Sequence, residues 1–173
     1  MQQIKQLWQP VLGRIAWNVG RGHGSALRME FGLPHISIRE PVASREGNAK
    51  TVRRGLQRRA VHILGDWSFW VLYGNWKLRT TNGEIDSETS PGTPGDECLR
   101  DLEGQRLLSI DAELLPHSWV WKFDLGAVLE VSASTDIIED QWTLRRWNAD
   151  IAACQADGSL VLEKVEPLPD GVS

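Results

Sequence analysis

Apolar and polar residues alternate along most of this chain with the period of a β-strand. In Trp119-Val120-Trp121-Lys122-Phe123-Asp124-Leu125 the odd positions are all apolar, and Lys122 and Asp124 fall on the opposite face. Leu27, Met29 and Phe31 repeat the pattern, with Arg28 and Glu30 turned outward. Period two with one wet face is the signature of an antiparallel sheet. Ile36 and Ile38, matched by Leu129 and Val131, continue the inward series, and Trp67, Phe69 and Val71 answer to Trp142 and Leu144. Asn82-Gly83 and Asp157-Gly158 predict hairpins with type I′ turns, which need positive φ at both central residues. Gly32 and Gly126, each between two alternating runs, predict tight turns. Val19-Gly20-Arg21-Gly22-His23-Gly24-Ser25 carries three glycines at alternate positions. Such a run can form a nest of backbone N–H groups for an anion. No Gly-Lys-Ser/Thr follows it, so it is not a P-loop, and a flexible hairpin connection is the preferred reading.

The chain also repeats itself. Gly13 to Val19 lines up with Gly104 to Ile110 at an offset of 91, and His23 to Gly32 lines up with His117 to Gly126 at an offset of 94. Asp66 to Phe69 matches Gln141 to Leu144, and Asn82-Gly83 matches Asp157-Gly158, both at an offset of 75. The matches are collinear, which predicts an internal duplication. Each half opens with a short helical pattern. Ile4, Leu7, Trp8 and Val11 precede Gly13, while Thr93-Pro94-Gly95-Asp96 offers an N-cap ahead of Leu99, Leu102 and a closing Gly104. The polar, Pro/Gly-rich stretch Ser87 to Gly95 reads as a linker. A half of roughly 80 residues is marginal alone, so the two are expected to pack as one pseudo-symmetric unit. The predicted class is therefore all-β, mainly antiparallel, with one or two short helices, in a duplicated β-sandwich or barrel. Its parts are a first repeat over 1–86, a linker and short helix over 87–103, and a second repeat over 104–173.

Composition removes several classes. With 173 residues, 41% hydrophobic, and a net charge of −4, the chain is not expected to be disordered. No run of 18 apolar residues predicts a membrane span, and MQQIKQLWQP lacks the regions of a signal peptide. Cys98 and Cys154 are too few for a disulfide scaffold and lack metal-ligand spacing, which points to a reducing cytoplasm. The modest net charge hides a split. Residues 1–86 hold 13 basic and 6 acidic side chains, a net +7, whereas residues 87–173 hold 6 and 17, a net −11. Part of the positive excess lies where the offset falls from about 93 to 75, implying about 18 unmatched residues at roughly 42–60. That insertion holds six basic residues and one acid. Val52, Leu56 and Ala60 at spacing four suit a basic amphipathic helix, against which Gly55 counts. Arg53, Arg54, Arg58 and Arg59 are candidates to bind an acidic protein, a phosphate or an anionic surface. Nucleic acid is disfavoured, because no aromatics interleave the basic residues and the chain is acidic, with a pI of about 5.6.

Nine Trp stand against three Phe and one Tyr. Trp17, Trp67, Trp119, Trp121 and Trp142 suit inward strand positions. Trp70 and Trp147 lie out of phase, and so belong to a second buried layer or to a partner surface. His23 and His117 recur at corresponding places and make a candidate pair for a metal or for acid/base work, weighed against simple turn capping. His35 and His62 have no partner visible in sequence. No Ser/His/Asp or Cys/His spacing is present, so no catalytic residue, cofactor or metal-ligand set is assigned.

Gly104-Gln105-Arg106-Leu107-Leu108-Ser109-Ile110, followed by Phe123-Asp124-Leu125-Gly126 through Leu129 and Val131, resembles a group of small uncharacterised bacterial β-rich proteins. Gly22-His23-Gly24-Ser25 with Glu30-Phe31-Gly32 is similar to the first half of the same group. The resemblance implies a β-rich fold and transfers no activity, although some small bacterial domains of this kind are immunity partners of toxins. The resulting expectation is a non-enzymatic, cytoplasmic interaction module, with toxin immunity as one version, another protein as partner, and a homodimer left open. The alternatives are a small-ligand-binding β-barrel and a metal-dependent or His-based enzyme using His23 and His117.

Overall fold

The alternating segments do form antiparallel strands. In the computed structural model the described residues are 2–43, 47, 49–89, 92, 96–112, 117–134 and 139–164. The first half of the chain contributes β1 (Ala16–Arg21), β2 (Leu27–Phe31), β3 (His35–Arg39), β4 (Ala60–Leu64), β5 (Trp67–Val71), β6 (Asn75–Thr80) and β7 (Gly83–Asp86). The second contributes β8 (Leu107–Ala112), β9 (Ser118–Phe123), β10 (Val128–Ser132), β11 (Trp142–Arg146), β12 (Ile151–Cys154) and β13 (Leu160–Glu163). Three short helices join them: α1 (Gln2–Trp8), which runs into a 3₁₀ turn at Gln9–Val11, α2 (Lys50–Leu56) and α3 (Asp96–Leu102).

One sheet has the order β1-β2-β5-β11-β12-β13 and the other β7-β6-β10-β9-β8, while among the described residues β3 and β4 pair only with each other. The inward sides of both sheets feed one core. Leu27, Met29, Phe31, Phe69, Trp142 and Leu144 come from the first sheet, and Trp76, Leu78, Trp119, Trp121, Phe123 and Leu129 from the second. Helix α1 places Trp8 between them. Its ring lies 4.9 Å from Phe69, 5.6 Å from Trp121 and 6.1 Å from Trp142, mostly in edge-on contacts. Side chains therefore fill the space between the sheets.

At one side the two sheets are stitched together. Gly13 N donates to Leu107 O and Gly104 N to Ala16 O; Leu107 N donates to Arg14 O and Ala16 N to Gln105 O. These four bonds are two pairs related by the offset of 91 residues read from the sequence. The strand order also falls into two series of like arrangement, with the offset of 91 kept at β1 and β2 only. The chain runs α1, β1, β2, β5, β6, β7 and then α3, β8, β9, β10, β11, β12. In each series the first three strands lie side by side in one sheet, and the last two cross to the other. The β3–α2–β4 segment and β13 have no counterpart in this order.

Several expectations need correction. Strands β5 and β11, read as counterparts, pair in one sheet with Phe69 opposite Leu144 and Val71 opposite Trp142, and in the strand order β5 takes the place of β10 and β11 that of β6. Ile36 and Ile38 do not continue the core: they are 69% and 44% exposed, because β3 leaves the sheet after Gly32. Leu125, expected inside, is 68% exposed, since β9 ends at Phe123 and Leu125 caps the turn into β10. Trp17 lies outside as well. Ala16 takes the inward position, and a bulge between Trp17 and Gly20 resets the register of β1. Both predicted hairpin turns exist, but neither Asn82 nor Asp157 adopts positive φ, so they are not type I′. Side chains satisfy these turns instead: Thr80 Oγ1 accepts the Asn82 N–H, and Asp157 Oδ1 accepts that of Ser159. Gly32 and Gly126 do have positive φ, +83° and +95°. The expected helix in the insertion is α2, ending at Leu56, and Ala60 belongs to β4. The N-cap reading at Thr93 to Gly95, and most of the linker between Ser90 and Gly95, lie outside the described residues.

Candidate functional site

The functional reading centres on the segment that leaves the sheet between β2 and β5. Its two ends are fixed at glycines. A Cβ on Gly32 would lie 2.3 Å from Asp66 Oδ2, and one on Gly65 would lie 2.4 Å from the Phe31 carbonyl oxygen. The close packing holds a polar latch. Asp66 Oδ2 accepts the Leu33 N–H at 2.8 Å, and Asp66 Oδ1 pairs with His35 Nε2 at 2.8 Å. The His35 ring stacks on Trp147 with centroids 4.9 Å apart, and Trp147 N donates to the Asp66 carbonyl. The bonds from His35 and Leu33 hold the Asp66 carboxyl below its ordinary range. Trp147 thus anchors the base of the segment, and His35, without a visible partner in the sequence, gains two.

Beyond the latch, β3 and β4 form a ribbon with one apolar face. Ile36 pairs across the strands with Ile63, and Ile38 with Val61. These four are 69%, 54%, 44% and 63% exposed, in that order. Single exposed aliphatics are ordinary on protein surfaces, whereas two adjacent β-branched pairs make a contiguous patch. Helix α2 continues from this ribbon. It buries none of its residues and has no side-chain N-cap, so its own sequence holds it weakly. Arg39 of β3 compensates by donating to the carbonyls of Gly55, Leu56 and Arg58, placing a cation at the negative end of the helix. Lys50, Arg53, Arg54 and Gln57 then share one face at helical spacing.

The four arginines assigned from sequence do not behave alike. Arg59 makes a two-pronged ion pair with Glu40, at 2.9 Å from Nε to Oε1. Arg53, Arg54 and Arg58 have no ion pair among the described residues. Elsewhere the opposite charges of the two halves partly meet. Arg21, which also lies 5.1 Å from the centre of the Trp76 ring, bonds Asp96, and Arg79 bonds Glu130.

Under the ribbon lies a cleft of about 720 Å³. Its floor is the outer side of the first sheet and includes Trp17, Arg28, Glu30 and Trp70; Val61, His62, Ile63 and Leu64 of β4 form its wall. Arg28 stands opposite Trp70 across β2 and β5, and Glu30 opposite Ser68. Glu30 is 1% exposed, and its Oε2 accepts hydrogen bonds from Gly65 N and Ser68 Oγ. Burial pushes the Glu30 carboxyl above its ordinary range, against those bonds and the nearby charges of Arg28 and Arg145. Trp70, out of phase in sequence, faces this cleft. The sequence also flagged Gly20, Gly22 and Gly24 as a nest; of the three only Gly24 has positive φ, +67°. Gly22 makes room: a Cβ there would lie 3.1 Å from Trp70 Cζ3, whereas one at Gly20 would meet Arg28 Nε at an ordinary contact distance of 3.8 Å. Arg28 and Glu30 themselves looked like ordinary outward polar positions; only the β2–β5 register shows them beneath the ribbon.

The paired histidines are placed apart. His23 lies between β1 and β2 of the first sheet, and His117 between β8 and β9 of the second, its ring against Gly158. Among the described residues no group of three His, Cys, Asp or Glu side chains can hold a metal ion. Both cysteines are buried and free, and burial beside Asp157 and Asp140 pushes the Cys154 thiol up to about 12, so it stays protonated. Among the described residues no helix is long and apolar enough to cross a membrane. Comparison with known proteins finds no matching family model, no matching curated protein and no matching solved structure.

Proposed function

We propose that this protein is a non-enzymatic interaction module that presents the β3–β4 ribbon and helix α2 to an acidic protein partner. One observation carries the reading: two exposed cross-strand aliphatic pairs on a ribbon that pairs with no other strand among the described residues, continuous with a helix whose one face holds Lys50, Arg53 and Arg54. An apolar patch beside unpaired cations fits a partner with an apolar centre and an acidic rim. Burial of the patch supplies affinity, and the charges supply orientation and encounter rate. The latch of Asp66, His35 and Trp147 supports this role by fixing how the ribbon leaves its scaffold. That scaffold we read as two copies of one helix-plus-five-strand unit, which the hydrogen bonds repeated at an offset of 91 support. The extra ribbon is then the part added to a duplicated frame. Two free cysteines support a reducing compartment.

The test is site-specific photo-crosslinking in the native cells from the Val61 position. We expect one acidic protein to be captured, with capture lost when Arg53, Arg54 and Arg58 are all changed to Glu. The same label at Leu125, an equally apolar and exposed position at a distant turn, should capture nothing in common. Capture of the same set from Leu125, or capture unaffected by charge reversal, would overturn the proposal.

A further inference from the structure

The cleft beneath the ribbon borders the apolar face at Val61 and Ile63, but its floor is chemically distinct from that face. At its floor the Arg28 Nε is shielded from solvent, and among the described residues it has no hydrogen-bond partner and Arg28 makes no ion pair. Its nearest carboxylate along the strand, Glu30, is turned to Gly65 and Ser68 instead. A shielded guanidinium donor without an acceptor is an unusual feature, since buried donors are almost always satisfied. The surroundings favour a planar guest. Trp17 and Trp70 supply aromatic surface on the floor, and Gly22 leaves the space into which the Trp70 ring settles. The charged and titratable groups in the cleft are Arg28, Glu30, His62 and Glu103. Two carboxyl groups among the four disfavour a dianion, whereas one guanidinium matches one carboxylate.

We propose that the cleft binds a small planar monocarboxylate, its carboxylate on the Arg28 guanidinium and its ring against Trp70 and Trp17. Val61 and Ile63 border both this cleft and the docking face, but the ligand contacts at Arg28, Trp70 and Trp17 do not require the ribbon's partner.

The test uses the full chain, with ¹⁵N-edited NMR of arginine Nε–H groups and 1-naphthoate, 1-naphthamide and 1-naphthyl phosphate as probes. Loss of one resonance in Arg28→Lys identifies the Arg28 signal. Naphthoate should shift that signal saturably, and the neutral amide should bind at least about tenfold more weakly, as loss of a charge-assisted bond implies. The phosphate should also be weaker than the carboxylate. Trp70→Leu should weaken naphthoate binding by about tenfold while leaving the Arg28 signal in place. Equal binding of the amide, tighter binding of the phosphate, or no saturable shift at Arg28 would each overturn the proposal. The amide and phosphate comparisons need only the unmodified protein, so they decide the matter even if a variant fails to fold.

Discussion

Replacing Trp8 by Ala probes whether two sheets and one helix form a single cooperative unit. Trp8 is 1% exposed and touches aromatic rings of both sheets: Phe31, Phe69 and Trp142 on one side, Trp121 on the other. Its indole N–H has no hydrogen-bond partner among the described residues, so among them truncation forfeits packing alone. A buried Trp removes about 200 Å² from water, worth about 5 kcal/mol at roughly 25 cal/mol per Å². Alanine retains a small part of this, while an unfilled cavity adds to the loss, so a destabilisation of about 4 kcal/mol is expected. Against a typical total of about 5–15 kcal/mol this is a large fraction, but it leaves a measurable folded state. Trp8→Phe keeps most of the edge contacts and should lose only about 1–2 kcal/mol. Urea unfolding followed by far-ultraviolet circular dichroism measures both. The loss should appear in one transition, since Trp8 bridges the sheets. A loss below about 1 kcal/mol, or two resolved transitions, would refute the view that α1 completes a shared core.

Two further outcomes concern the ribbon base. Burial raises the Glu30 carboxyl above its ordinary 4.5, so the wild-type protein loses stability as pH rises from there through the folded-state value. Glu30→Gln, which can still accept from Gly65 and Ser68, should therefore gain relative to wild type over that window; a constant difference between about pH 4 and pH 8 would contradict it. Asp66 has the opposite sign: its contribution is present above the ordinary 3.8 and lost as pH falls through its lower folded-state value. Asp66→Ala should release the latch and speed hydrogen exchange of the β3–β4 amides about fivefold at neutral pH, a modest effect because the pair with His35 is partly exposed and screened. Unchanged exchange in that variant would show that the Gly32 and Gly65 turns alone hold the ribbon.

What the sequence made legible depended on period and on local turn chemistry. The inward series Leu27, Met29, Phe31 and Trp119, Trp121, Phe123 follows from alternation alone, because a strand shows successive side chains to opposite faces. The turns at Gly32 and Gly126 follow from the need for positive φ, and α3 from its apolar spacing before Gly104. The out-of-phase position of Trp70 was legible for the same reason. Partnership was not. Ile36 and Ile38 alternate as well as Leu129 and Val131 do, yet one pair is exposed and the other buried, since alternation states that a face is apolar and not what covers it. Trp17 was misplaced by a bulge, which shifts the phase of a strand without any mark in its composition. The charge split of +7 and −11 was also visible, but which cations stay unpaired was not. Arg21 finds Asp96 and Arg79 finds Glu130 across the halves, while Arg53 and Arg54 find nothing among the described residues.

By itself, then, the sequence determined an antiparallel β architecture, the places of α1 and α3, the turns at Gly32 and Gly126, and the segment most worth attention. These depend on interactions between residues a few positions apart. The tertiary structure decided that β5 lies between β2 and β11, and it is this register that sets Arg28 beside Trp70 and leaves β3 and β4 to each other. Strand order is a long-range choice, made by which apolar faces can share one core around Trp8. The cleft and the exposed ribbon both follow from that choice.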